Sequence, residues 1–155
     1  VTVAVQSRWH LGEREHRDVV VTLPIRTVSE TNQREHWARR HRRRREQRQT
    51  VALVLAGALA AEGMTAPCSR EDAPGTRFGV RMVPRAVQVT IARLAPSSGL
   101  DGDNLVSSLK AVRDGVADAL GVDDADDRVT WSYEQRRSKR GSWAVEIRIA
   151  RRVTA

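Results

Sequence analysis

One cysteine, Cys68, is the whole thiol content of the chain, which excludes a disulfide within it. The residue lies in TAPCSRED, whose proline and serine read as loop. Histidine is equally sparse. His10, His16, His36 and His41 form no Cys/His cluster of zinc spacing, and His36 and His41 are five apart, not the four that would place two ligands on one helix face. Long apolar runs are missing too: the longest, Val51 to Ala61, holds 11 residues where a membrane-spanning helix needs about 20. No membrane span is expected. The opening VTVAVQSRWH lacks the basic and then apolar layout of a secretory signal, so a cytoplasmic location is expected. There is no internal repeat, and no low-complexity segment beyond one arginine run.

Positive charge, by contrast, is abundant. Lys and Arg number 27 against 19 Asp and Glu, a formal charge of +8 over 155 residues. With 40% hydrophobic residues the chain has apolar surface enough to fold, and its length suggests one domain. A basic balance of this size points to a polyanionic partner, most commonly nucleic acid.

Periodicity sketches the elements. Val19 to Ile25 (VVVTLPI) is rich in β-branched residues up to Pro24 and reads as a strand, with residues 1–17 an arm or an extra strand. Asn32 and Glu35 stand at capping-box spacing and open a long helix that Gly63 ends. On it Trp37, Ala38, His41, Ala52, Leu55 and Leu59 form one stripe, while Arg39, Arg40, Arg42 and Arg43 turn outward. The proline- and glycine-dense stretch 64–85 is a long, mobile connection with a short strand at Phe78 to Val83. Val87, Val89 and Ile91 alternate as in a strand. Leu105, Leu109, Val112, Val116 and Leu120 recur at three or four, an amphipathic helix from Asn104 closed by Gly121. Val129, Trp131 and Tyr133, the turn SKRGS, and Trp143, Val145, Ile147 and Ile149 predict a β-hairpin. The order is βαβαββ, a single α/β (α+β) domain over 18–153 with a mixed sheet packed by two helices.

The acids are concentrated in two places: Asp101 and Asp103 in LDGDNL, and Asp123, Asp124, Asp126 and Asp127 in VDDADDRV. They bracket the second helix. If 101–103 is extended, residues two apart project to the same side about 6.6 Å apart, and both carboxylates can address one metal centre. A divalent cation lets both ionise and suits hard oxygen ligands, Mg²⁺ or Mn²⁺. The second group can return to the first only if the strand starting near Arg128 lies beside the strand at 86–94. Separately, each group also suits an ordinary helix cap or turn. An EF-hand does not fit, because counting from Asp101 puts Val106 where Gly belongs and Val112 where Glu belongs.

Lys110 lies two helical turns after Asp103 on the same stripe as Ser107 and Asp114. It can reach toward the acids to hold a phosphate, or pair with Asp114 four residues on. The run Arg39 to Arg48 packs seven arginines into ten residues and offers several phosphate contacts, with a solvated helix face or a nuclear-localisation signal as alternatives. Trp9, Trp37, Trp131 and Trp143 read as core or interface side chains before base-stacking platforms, and Tyr133 is read like Trp131.

The succession LDGDNLVSSLKAVRDGVADALGVDDADD resembles the RusA-type Holliday junction resolvases, endonucleases often carried by phages and prophages. VVVTLPI followed by Asn32 and Trp37 resembles the family's opening and GSWAVEIRI its close, so the likeness covers about residues 18 to 150. It implies a homodimer that binds four-way DNA junctions in recombination and repair and nicks two opposed strands with Mg²⁺. It further implies that Asp101, Asp103 and one aspartate of the second group, Asp124 first and Asp126 second, hold the metal. Lys110 takes the place of the family's essential lysine, although its distance from Asp103 is longer by about one helical turn. Arg39, Arg40, Arg42 and Arg43 would hold junction arms. Whether one or two metals act is open. Two rivals stand beside this reading: a basic module that clamps DNA without cutting, and a metal nuclease acting on flaps or RNA.

Overall fold

A computed structural model of the chain describes residues 18–29, 36–62, 65–67, 80–82, 86–97 and 99–151. In chain order the elements are β1 (Val19–Leu23), α1 (Trp37–Ala61), β2 (Thr65–Pro67), β3 (Val80–Met82), β4 (Val87–Ala95), α2 (Gly102–Leu120), β5 (Val129–Arg137) and β6 (Ala144–Arg151). Four strands form one mixed sheet in the order β1-β6-β4-β5, and β2 and β3 pair as a separate antiparallel ribbon. The βαβαββ order of an α+β domain is therefore present, with the ribbon inserted before β4. Thr65–Pro67, expected as loop, is the ribbon's first strand. The arm at 1–17, the capping pair Asn32 and Glu35, Gly63, Cys68 and most of the connection to Gly79 lie outside the described residues.

The strand after Arg128 does lie beside β4: β4 and β5 pair in parallel from Val87↔Val129 to Ala95↔Arg137. The expected hairpin of β5 and β6 is not formed. β4 stands between them, paired antiparallel with β6 from Val87↔Arg151 to Leu94↔Ala144. The chain crosses the end of β4 instead, where the Ser138 amide donates to the Ala95 carbonyl at 3.0 Å. Two alternating strands joined by a turn suit a hairpin locally, but the more apolar β4 and β6 gain more by lying centrally.

One face of the sheet is apolar. Val19, Val21 and Leu23 of β1, Val87, Val89 and Ile91 of β4, and Val145, Ile147 and Ile149 of β6 are buried against both helices. From α2 come Leu105, Leu109, Val112, Val116 and Leu120, the stripe read from the sequence. The helix ends as expected at Gly121, in the left-handed conformation (φ 66°) that favours glycine. On α1 the buried positions begin only at Val51 and run through Ala52, Leu55, Ala56, Ala58 and Leu59. Trp37 shares the angular position of Leu55 but is 73% exposed, because the first turn of α1 lies beyond the apolar core. His41 is exposed as well, and His36 caps the helix, its Nδ1 accepting from the Ala38 amide. Where α1 crosses α2, a Cβ on Gly115 would stand 2.6 Å from the Arg48 carbonyl oxygen and 2.8 Å from the Val51 Cβ. Only a glycine lets the two helices approach this closely.

This topology fixes where the acids lie. β1, β4 and β5 end, and β6 begins, at one rim of the sheet, where α2 also starts. Residues 121–128 lie at the opposite rim, where the Val87 amide donates to the Arg128 carbonyl.

Candidate active site and nucleic-acid surface

Asp101 and Asp103 stand at the start of α2 but not on an extended segment. Asp101 is the N-cap, with φ −64° and ψ 167°, and Asp103 is already in the first helical turn. The equal projection expected of residues two apart on a strand is therefore absent. The Asp101 carboxylate accepts from the Asn104 backbone amide at 2.9 Å and from the Asn104 side-chain amide at 2.8 Å. These bonds favour the charged form and lower its pKa. Ser29, in the segment after β1, donates to the Asn104 Oδ1 at 2.9 Å and ties that segment to the helix start. Asp103 is exposed and has no hydrogen bond or ion pair among the described residues.

The second group is differently occupied. Asp123 accepts from the Ala125 amide at 2.9 Å, a turn bond. Asp126 accepts from the Arg128 amide at 3.0 Å and from that residue's guanidinium, and these contacts hold its carboxyl at about 2, well below the ordinary value. Asp124 turns back along α2: its carboxylate is 3.9 Å from the Lys110 Nζ and 3.8 Å from the Arg113 guanidinium. Lys110 also pairs with Asp114 at 3.3 Å, the i, i+4 contact open in the sequence. It thus meets the second acidic group rather than the first.

Distance separates the two groups within one chain. Asp103 and Asp114 are eleven residues apart, about 16 Å along the helix axis. A shared ion holds its oxygens at about 2.1 Å. Among the described residues no three His, Cys, Asp or Glu side chains converge as a metal-binding group. Asp101 and Asp103 are neighbours through the chain at the start of α2, and neither Asp124 nor Asp126 joins them there.

Arg113 was not among the candidates. Its guanidinium lies 5.0 Å over the ring of Trp131 and donates to the Asp124 carbonyl, to which the Trp131 indole also donates at 3.2 Å. Trp131 and Tyr133, half-buried against the core, back this cluster, and burial raises the pKa of the Tyr133 phenol. The sequence signal was present: Arg113 follows Lys110 by three on the same helix. Its engagement with Asp124 was not visible, because that contact depends on how residues 121–124 fold back.

The arginine run lies on the first half of α1. Arg39 and Arg42 are exposed as expected, whereas Arg40 and Arg43 are half-buried and face inward. Their spacing of three continues, as Gln47 does, the inward stripe that Val51 and Leu55 occupy further on. A cleft of about 350 Å³ between the helices is lined by His41, Arg44, Arg45 and Arg48 from α1 and by Lys110 and Asp114 from α2. Arg48 is anchored on Asp118 through two hydrogen bonds. The basic face and Lys110 therefore belong to one surface. Among the described residues no helix is long and apolar enough to cross a membrane. Compared with known protein families and curated proteins, the chain has no match.

Proposed function

We propose that the protein is a metal-dependent endodeoxyribonuclease acting on branched DNA, with the four-way junction as its substrate and a homodimer as its working form. The observation that carries this reading is Asp103, an exposed carboxylate with no partner among the described residues, beside Asp101 at the start of α2 in a chain of charge +8. Mg²⁺ is commonly bound through one or two carboxylates, with waters and substrate phosphate oxygens completing its shell. Asp101 and Asp103 fit that pattern, and Mn²⁺ suits the same oxygens. When bound there, such an ion supplies an activated water and stabilises charge on a phosphoryl oxygen. The chain's own residues bind and orient the DNA. Arg39 and Arg42 present exposed guanidinium groups to the backbone, and Arg40, Arg43 and Lys110 flank them. Phosphate contacts of this kind select shape rather than base sequence and weaken steeply with salt. The junction and the dimer rest on the resemblance to RusA-type resolvases. Two sites related by a two-fold axis suit two symmetric nicks. A role in recombination or repair and a cytoplasmic location accompany this reading.

A second reading has its own support: Asp101 acts as a helix cap and Asp123 and Asp126 as turn acceptors, the roles these residues have in a protein that clamps DNA without cutting it. One assay separates the two. A labelled, immobile four-way junction and a linear duplex are incubated with wild type and Asp103→Asn, with Mg²⁺ or EDTA, at matched salt. Paired symmetric nicks that need Mg²⁺ and disappear in the variant are expected. Tight junction binding without nicks under any metal would establish the clamp, and cleavage of flaps or RNA in preference to junctions would move the substrate.

A further inference from the structure

β4 carries a charge where its pattern calls for an apolar residue. Val87, Val89, Ile91 and Ala95 point to the helix-covered face, and Arg93 shares their parity; it is 4% exposed. Across the register its neighbours are Val145 of β6 and Gln135 of β5. Its guanidinium donates to the Ser97 hydroxyl at 3.1 Å and lies 5.4 Å from the ring of Trp143, which also receives Arg26 at 5.0 Å. The Nε is buried without a hydrogen-bond partner.

Other arginines in the sheet and helices are differently provided for. Arg48 has Asp118, Arg113 has Asp124, Arg128 has Asp126, and Arg136 has Glu146. Arg93 has no carboxylate among its described partners, and burial lowers its pKa. A cation removed from water without a counter-charge is costly unless an anion arrives to meet it.

Space for that anion exists beside it. A cleft of about 350 Å³ at the carboxyl ends of the parallel strands β4 and β5 is lined by Arg93, Ser97, Gly99, Gln135, Arg136 and Arg137, with no acid among them. Such crevices are the usual ligand positions of parallel α/β units. Gln135 braces the wall: its side-chain amide donates to the Leu100 carbonyl at 2.7 Å, and its oxygen accepts from the Leu100 amide at 2.8 Å. The next residue is Asp101. Guanidinium groups match the oxygens of phosphate in charge and geometry.

We infer that this cleft is a phosphate-binding site, built on the buried guanidinium of Arg93 and rimmed by Arg137, which shares its face of the sheet, and that it seats a backbone phosphodiester of DNA next to Asp101 and Asp103. The source of the phosphate rests on the function proposed above; the site itself does not. A free phosphate monoester would use the same groups.

The test is a side-chain NMR titration of the full chain. The Nε–H resonance of Arg93, assigned by its absence in Arg93→Met, is followed with inorganic phosphate, with dimethyl phosphate, with a short DNA strand, and with chloride at equal ionic strength. A saturable shift with phosphate and with DNA, absent with chloride, is expected. A shift with phosphate alone would assign the site to free phosphate monoesters and overturn its place in DNA binding. In Arg93→Met, DNA affinity is expected to fall about tenfold, the loss of one charged hydrogen-bonding group. The exposed Arg137→Gln serves as second variant and is expected to weaken binding in the same direction. No response of Arg93 to any phosphate, or wild-type affinity in both variants, would overturn the inference. Cleavage separates the two proposals. A protein that neither binds nor cuts DNA but shifts Arg93 with phosphate loses the nuclease reading and this site's place in DNA binding, and keeps the phosphate site alone. One that cuts junctions with Arg93→Met equal to wild type loses only this site.

Discussion

The two acidic groups at the two ends of α2 are built from the same residue type and keep different partners. Beyond the C-terminus, Asp123 and Asp126 are engaged by turn amides and by Arg128, Asp124 stands 3.9 Å from Lys110 and 3.8 Å from Arg113, and Asp127 is exposed with no hydrogen bond or ion pair among the described residues. At the N-terminus both Asp101 oxygens accept from Asn104, one from its backbone amide and one from its side chain, while Asp103 has no hydrogen bond or ion pair among the described residues. A carboxylate already satisfied by a guanidinium or backbone amides is the poorer cation ligand, because binding an ion means giving up charge-assisted bonds. Counting aspartates favours the second group; accounting for their partners leaves one open carboxylate in each, Asp103 and Asp127, and Asp103 is the one at the rim where β4 and β5 end.

Substitutions sharpen that contrast. The largest effect is expected from Asp103→Asn, which should reduce Mg²⁺-dependent cleavage on the order of 100-fold or more while leaving the unfolding midpoint in place. Asp123→Asn should leave cleavage within a small factor of wild type, and equal losses in both would erase the difference between the groups. Gly115→Ala tests the helix crossing that supports α2. A methyl group driven against the Arg48 backbone should destabilise by about 1–3 kcal/mol in urea unfolding, and a neutral result would mean that the helices can separate freely. Asp101→Ala removes a cap and should cost about 1 kcal/mol in the same measurement, which distinguishes it from Asp103, where no such loss is expected.

The smallest effect concerns pH. The Asp126 carboxyl lies at about 2 in the folded chain, below its ordinary 3.8, through its bonds with Arg128. Its contribution to stability is therefore complete above about pH 4 and is lost as pH falls from there through about 2. The difference in thermal midpoint between wild type and Asp126→Asn should be constant from pH 7 to 5 and shrink below pH 4. A difference that persists at pH 2 would place the Arg128 contact elsewhere.

Much of the fold was legible in local pattern. The α2 stripe, its glycine end and the alternation of β4 follow from period and spacing, whereas the placement of β5 beside β4 entered only as the condition for the two acidic groups to meet, and the pairing formed without bringing them together. The misread features share one cause. The β5–β6 hairpin, the exposure of Trp37 and the inward turn of Arg40 and Arg43 depend on what lies opposite, which a periodicity does not contain. Arg93 is the instructive case. Its parity on β4 could be read from Val87, Val89 and Ile91, yet the absence of a carboxylate beside it became visible only in the folded chain.

By itself, the sequence determined the secondary elements, the apolar faces they bury and the basic character of the surface, because these depend on residues a few positions apart. Tertiary structure decided which charges meet. It carried Asp124 to Lys110 instead of to Asp103, inserted β4 between β5 and β6, and left Asp103 exposed and Arg93 buried. Charges pair through space, and the length of α2, about 28 Å, holds the two acidic groups apart however alike they look along the chain.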